Sequence, residues 1–250
     1  MPAVTDPLLP LLDLPGIADA VARARTAVDT MLNNRTLRRR SPDVSAESSL
    51  RGAWASAWLS GSHLALADVR AGVPHAISDP TLQGALRAQA AIGPLADTWT
   101  RAPRQAMARL HALAAADLVA DSSVLGRPSP AAAARLDVLA AVLDATSVPA
   151  VIVAGIVHGE LLSLDAFPPA SGVVARVATR LTLVDRGLDP KSLAVIEAGH
   201  RELGSLYDDA LQAYRSGTPA GIGEWLLHCC EAMVLGAQEA VAICEAMSRG

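Results

Sequence analysis

Aromatic side chains are nearly missing from this chain, which has one Phe, two Tyr and four Trp in 250 residues. Sheets draw on aromatic and β-branched residues, so a strand-built core is disfavoured. Lysine is scarcer still: Lys191 is the only one, and arginine makes up the rest of the basic side chains, an imbalance that fits coding bias and excludes no function. The three cysteines, Cys229, Cys230 and Cys244, are too few and too close to form a disulfide framework. No apolar run is long enough to span a bilayer: Val148 to Val157 is about half the required length, and His158 and Glu160 close it. Met1 to Asp13 has neither a basic start nor a small-residue cleavage site, so no signal peptide is expected. A net charge of -4 argues against a general nucleic-acid binder. These absences lead us to expect a cytoplasmic protein with neither a membrane nor a nucleic acid among its partners.

Apolar residues make up 51% of the chain, carried mainly by Ala and Leu. Both are strong helix formers, so the expected fold is all-α, helices packed closely through small side chains. Proline, glycine and serine punctuate the chain at helix-length intervals. A first helix is expected from Pro15 to Asn33, with Ile17, Ala20, Ala24, Val28 and Met31 on one face. The Arg-rich stretch and Ser41-Pro42-Asp43 are expected to break it from a second helix, Val44 to Leu59. Asp79-Pro80 reads as an N-cap followed by proline at the first helical position. Further helices are expected over Pro103 to Leu118, from Ser129-Pro130 through Leu143, over Pro149 to Leu164 (central and apolar) and over Gly172 to Arg186. Gly199 to Arg215 has the cleanest periodicity, with Leu203, Leu206, Tyr207, Ala210, Leu211 and Tyr214 in phase, and a last helix runs from Gly221 to Met247. No fixed-period repeat is present.

Arg35, Arg38, Arg39 and Arg40 form a basic cluster that reads either as a solvated loop or as a docking patch for an acidic partner. His158 reads as a hydrogen-bonded core histidine. His200, His228, Cys229 and Cys230 suit zinc poorly, because neighbouring helical residues point about 100° apart; no metal and no cofactor are expected. Glu160 and Asp165, five residues apart, would be separated by about 140° on a continuous helix. No Ser-His-Asp arrangement and no Gly-rich phosphate loop is evident.

Gly155 to Arg176 carries the most specific pattern. His158, Leu161, Leu164, Phe167, Ala170, Gly172 and Arg176 fall without a gap on the signature His-x-x-Leu/Phe-x-x-Ile-His-Pro-Phe-x-Asp/Glu-Gly/Ala-Asn-Gly-Arg-x-x-Arg. Leu110-His111-Ala112-Leu113 upstream is similar to a leucine-histidine helix of the same proteins. The helix His200 to Tyr214, the stop at Ser216-Gly217 and Trp225-Leu226-Leu227 follow in their usual order. Ser48-Ser49-Leu50-Arg51-Gly52 is similar to their inhibitory helix Ser-x-x-x-Glu-Gly, with Arg51 in place of the glutamate. Over most of residues 45 to 235 the chain therefore resembles the Fic/Doc family. The resemblance implies a Fic-like helical bundle with extra N-terminal helices and at most a short β-hairpin flap, best placed at Ala120 to Pro128. It also implies one domain over 1-250: an N-terminal helical part (1-100), a Fic-like core (101-217) and a C-terminal helix (218-250).

Fic enzymes move a nucleotidyl group, usually adenylyl from ATP, onto a protein hydroxyl. This requires a histidine base, a carboxylate holding magnesium, and N–H groups and arginines holding the phosphates. Here Asp165 stands in the place of the histidine, Ala166 of the proline, Pro169 of the acid, Ser171 of the asparagine and Val173 of the first arginine. Asp165 is a weak base at neutral pH, and at about 5 Å and an effective dielectric of 20 its charge would cost a bound phosphate roughly 3 kcal/mol. What survives is a helix start at Ser171 and Gly172 with Arg176 one turn in and Arg180 four residues on. That set can hold an anion, nucleotide or phosphate. Alternatively Arg176 pairs with a carboxylate; an Asp165–Arg176 pair is favoured. The expected function is a catalytically degenerate Fic-like protein that binds or regulates an unidentified protein partner. The alternative is an atypical nucleotidyl- or phosphoryl-transferring enzyme using Asp165 and Arg176 in the same cleft.

Overall fold

The computed structural model describes residues 6–249, and no strand is present among them. After a 3-10 turn at Leu9–Asp13 come α1 (Ile17–Leu32), α2 (Leu37–Trp58) and the short α3 (Leu66–Ala71) and α4 (Pro74–Ile77). Next are α5 (Pro80–Ala90), α6 (Ile92–Arg101), α7 (Pro103–Ala114), α8 (Ala133–Ala145) and α9 (Ala150–Ser163). The chain closes with α10 (Ser171–Asp185), α11 (Ile196–Glu202), α12 (Leu206–Arg215) and α13 (Pro219–Arg249).

The apolar face expected of α1 is buried in full: Ile17, Ala20, Ala24, Val28 and Met31. The Asp79 carboxylate accepts the Leu82 N–H at 2.7 Å, and Pro80 follows at the first helical position. The Arg-rich stretch separates two helices as expected: α1 stops at Leu32, Arg40 leaves helical geometry (φ -121°, ψ 22°) inside α2, and the helix starts afresh around Pro42. Arg35, Arg38, Arg39 and Arg40 are exposed there, with Arg40 bonded to Asp43 and to the Met247 carbonyl. The 120–128 stretch is a loop with a 3-10 turn at Ser122–Val124 and forms no hairpin.

One expected helix is two. Gly204, at φ +60°, ends α11 and redirects the chain into α12. The periodicity is therefore reset, and Leu206, expected inside, is 57% exposed, whereas Tyr207, Ala210, Leu211 and Tyr214 are buried as expected. A helix that is apolar all round belongs in the interior, and α9 is buried from Val151 to Gly159. It packs on α10 and α13, while α2 lies across α10 and α11. The 31-residue α13 is long and apolar enough to cross a membrane by length and composition, but in this molecule it is the core helix against which α1, α9, α11 and α12 pack. Its crossing with α11 is close: a Cβ on Gly199 would collide with the Ala232 carbonyl.

Candidate functional site

The loop between α9 and α10 carries the signature positions. Its shape follows from how α9 ends. The Ala166 N–H reaches the Leu161 carbonyl and the Asp165 N–H the Leu162 carbonyl, a Schellman arrangement that puts Asp165 in the left-handed region at φ +41°. Aspartate tolerates that geometry better than most non-glycine residues. Asp165 is exposed, and its Oδ1 accepts the Ser171 hydroxyl at 2.6 Å; Ser171 Oγ in turn accepts the Phe167 N–H at 2.8 Å. The expected Asp165–Arg176 pair does not form, because Asp165 stays at the loop surface with Ser171 while the Arg176 side chain runs inward.

Arg176 is only 2% exposed, and among the described residues no carboxylate forms an ion pair with it. Its Nε donates to Ser56 Oγ (2.8 Å), Nη2 to the Ser56 carbonyl (2.8 Å) and Ser60 Oγ (2.6 Å), and Nη1 to Tyr207 Oη (3.3 Å). The countercharge is a helix end. At the last turn of α2, the N–H groups of Leu59, Ser60 and Gly61 close on the carbonyls of Ala55, Ala57 and Trp58. The Ser56 carbonyl is left over, and Arg176 takes it. A cation at a helix C-terminus is stabilised by up to about 2 kcal/mol when partly buried, so Arg176 acts as the cap of α2. Gly172 lies directly under it, where a Cβ would approach Arg176 Nη2 to 2.9 Å and Ser60 Oγ to 3.3 Å.

Arg180 is occupied as well. It is buried in a two-pronged pair with buried Glu197 (Nε–Oε1 2.9 Å, Nη2–Oε2 2.9 Å), and its Nη1 donates to the Ser192 carbonyl and hydroxyl, both at 3.0 Å. Arg51 points away from the loop and is shared between Glu47 and Glu239, each at 2.6 Å. The family's Ser-x-x-x-Glu-Gly spacing fits better one stretch later, at Ser56-Ala57-Trp58-Leu59-Ser60-Gly61, with Ser60 in the glutamate's place. Ser56 and Ser60 are the residues that sequence reasoning missed. The spacing of four between serine and the glutamate position, which Ser48 and Arg51 do not satisfy, was the signal for them.

Behind Arg176 lies a ring-lined interior. Tyr207 Oη accepts from Arg176 and shares a hydrogen bond with His158 Nε2 at 2.8 Å, while His200 Nδ1 and His228 Nε2 are 2.9 Å apart. The His158 and His200 rings meet edge to face with centroids 4.8 Å apart, and Trp225, which donates to the Gly155 carbonyl, packs against both. Burial holds the pKa values of His158 and His200 well below the usual imidazole range, helped by the positive charge of Arg176, and lowers that of His228 to about 4. His111, whose pKa burial also lowers, ties the loop down, with Nε2 3.2 Å from the Pro168 carbonyl and Nδ1 accepting the Gly126 N–H at 3.1 Å. Val173 is buried in the core, and Asp165, Ser171, Gly172 and Arg176 line none of five well-formed cavities found among the described residues.

No protein-family model matches the chain. No curated protein sequence matches it either. Solved structures do, fifteen chains in all. One is a Fic family protein from Desulfovibrio desulfuricans G20, which superposes with a TM-score of 0.73 over 91% of this chain and 74% of that one at 16% identity. The fold is the Fic fold. At that identity the likeness is one of architecture. In this Fic-like chain, the stretch that resembles the family signature forms the end of α9, the α9–α10 loop and the start of α10, and its Arg176 caps α2.

Proposed function

We propose that this Fic-like protein is catalytically degenerate and works by binding, as a regulatory or scaffolding partner of another protein. The observation that carries this reading is the position of Arg176. The residue aligned with the family's phosphate-binding arginine is turned inward and consumed by Ser56, Ser60 and Tyr207. The reading draws further support from Asp165 at the base position, hydrogen-bonded to Ser171, and from Pro169 and Val173 at the positions of the magnesium ligand and first arginine. An enzyme using Asp165 and Arg176 together would need both groups in one cleft, whereas Asp165 is exposed and bonded to Ser171 and Arg176 is buried against α2. The expected outcome with labelled ATP and magnesium is no incorporation into the protein itself or into added proteins. Incorporation that disappears in Asp165→Ala would overturn the proposal and restore the enzyme reading.

A further inference from the structure

A cavity of about 600 Å³ lies away from the signature loop, between α2, the start of α6 and the far end of α10. A cavity of that size suits a small organic ligand. Its wall holds two cationic residues, Lys191 and Arg180, and no carboxylate. Arg180 is matched by Glu197, and the nearby Asp189 carboxylate is turned to the Leu193 and Ala194 N–H groups at 3.0 and 2.8 Å. Lys191, exposed on the rim, has one hydrogen-bond partner for its Nζ among the described residues, the Ser41 hydroxyl at 3.4 Å. Ser45 and Ser49, one turn apart on α2, face the cavity, and neither hydroxyl has a side-chain hydrogen bond among the described residues, whereas Ser48 between them is bonded to the Leu193 carbonyl. Ser192 completes the polar wall. Its oxygen accepts from Arg180, which leaves its proton free to donate, and its backbone is held at φ +50°. A non-glycine residue in that region is strained, and such strain concentrates at binding sites. Much of the remaining lining is apolar, with Ile92, Val184 and three prolines among it.

We propose that this cavity binds a small molecule with an oxyanion head and an apolar body, the head held by Lys191 and the hydroxyls of Ser45, Ser49 and Ser192. A charged head meeting a lysine and several hydroxyl donors makes charge-assisted hydrogen bonds. The site is independent of the signature loop, which lies at the other end of α10, so its success or failure leaves the reading of Arg176 untouched.

Isothermal titration with hexyl phosphate, hexanoate, inorganic phosphate and hexanol tests the proposal. At least one of the two oxyanion-headed hexyl probes binds, and which of them does so separates a phosphate from a carboxylate head. Inorganic phosphate and hexanol bind much more weakly, since each offers half of the recognised chemistry. Lys191→Glu weakens binding by about tenfold or more. Gly93→Trp, at a position where a side chain meets open space, fills the cavity and abolishes binding. Circular dichroism of both variants matches the parent, because both positions face solvent or cavity. The proposal is overturned if neither hexyl probe binds, if hexanol or inorganic phosphate binds as tightly as they do, or if folded Lys191→Glu or Gly93→Trp binds like the parent.

Discussion

Three histidines, His158, His200 and His228, are held neutral inside the protein beside a buried arginine, and that sets how stability depends on pH. In the unfolded chain each would take a proton near its ordinary pKa of about 6.5. In the folded protein burial opposes this, most strongly at His158 and His200 and down to about 4 at His228. Below pH 6.5 the unfolded state therefore binds more protons than the folded one, and stability falls as pH falls. The penalty is absent above about pH 7, grows through pH 6 and 5, and stops growing for each histidine only once the pH passes below its folded-state pKa. Each histidine contributes up to about 1.4 kcal/mol per pH unit inside its window. Urea denaturation at pH 7.5, 6 and 5 should show this slope, and His228→Gln should reduce it by close to one proton's worth. A stability that stays level from pH 7.5 to 5 would mean that the imidazoles are not buried neutral. Periodicity pointed to His158 as a core residue, but no pattern in the chain pointed to its partners, because Tyr207, His200 and His228 come from helices some 40 to 70 residues downstream.

Among the helices, the sharpest constraint lies where α11 crosses α13. Gly199 has no room for a methyl group beside the Ala232 carbonyl, so the helices must separate to admit one. Gly199→Ala should therefore cost about 1–3 kcal/mol through overpacking, although alanine is the better helix former. A chemical-denaturation midpoint equal to the parent's would show that the crossing is looser than described. The elements most readable in the chain were those whose order is local. The α1 face, the Asp79-Pro80 start of α5 and the all-apolar α9 follow from spacing and capping alone. One boundary was not readable. Gly204 interrupts an unbroken apolar period, and only its backbone angle reveals the stop between α11 and α12. The boundary at Ser41-Pro42-Asp43 was readable, because proline is tolerated only in the first turn of a helix, and the backbone leaves helical geometry at Arg40 just before it.

For the molecule as a whole, the order of segments carried more information than the catalytic motif. The stretch that resembles the motif departs from it at several positions, and no family model matches the chain, but the order of helices, loop and aromatic helix resembles the family's, and the fold agrees with it. The charge partners of the site were out of reach from sequence. Favouring an Asp165–Arg176 pair assumed that a buried guanidinium must find a carboxylate. In the structure the last turn of a helix more than 100 residues earlier in the chain takes that role. Arg176 thus joins α2 to α10. Thermal melts of Arg176→Ala with and without millimolar phosphate or ATP test this most directly. The account predicts a variant about 3 kcal/mol less stable without any ligand, since a charged side chain's hydrogen bonds and a helix cap are lost, and a parent protein whose melting temperature neither ligand changes through this site. An Arg176→Ala variant that melts with the parent, together with a ligand-induced rise in the parent that the variant lacks, would contradict it.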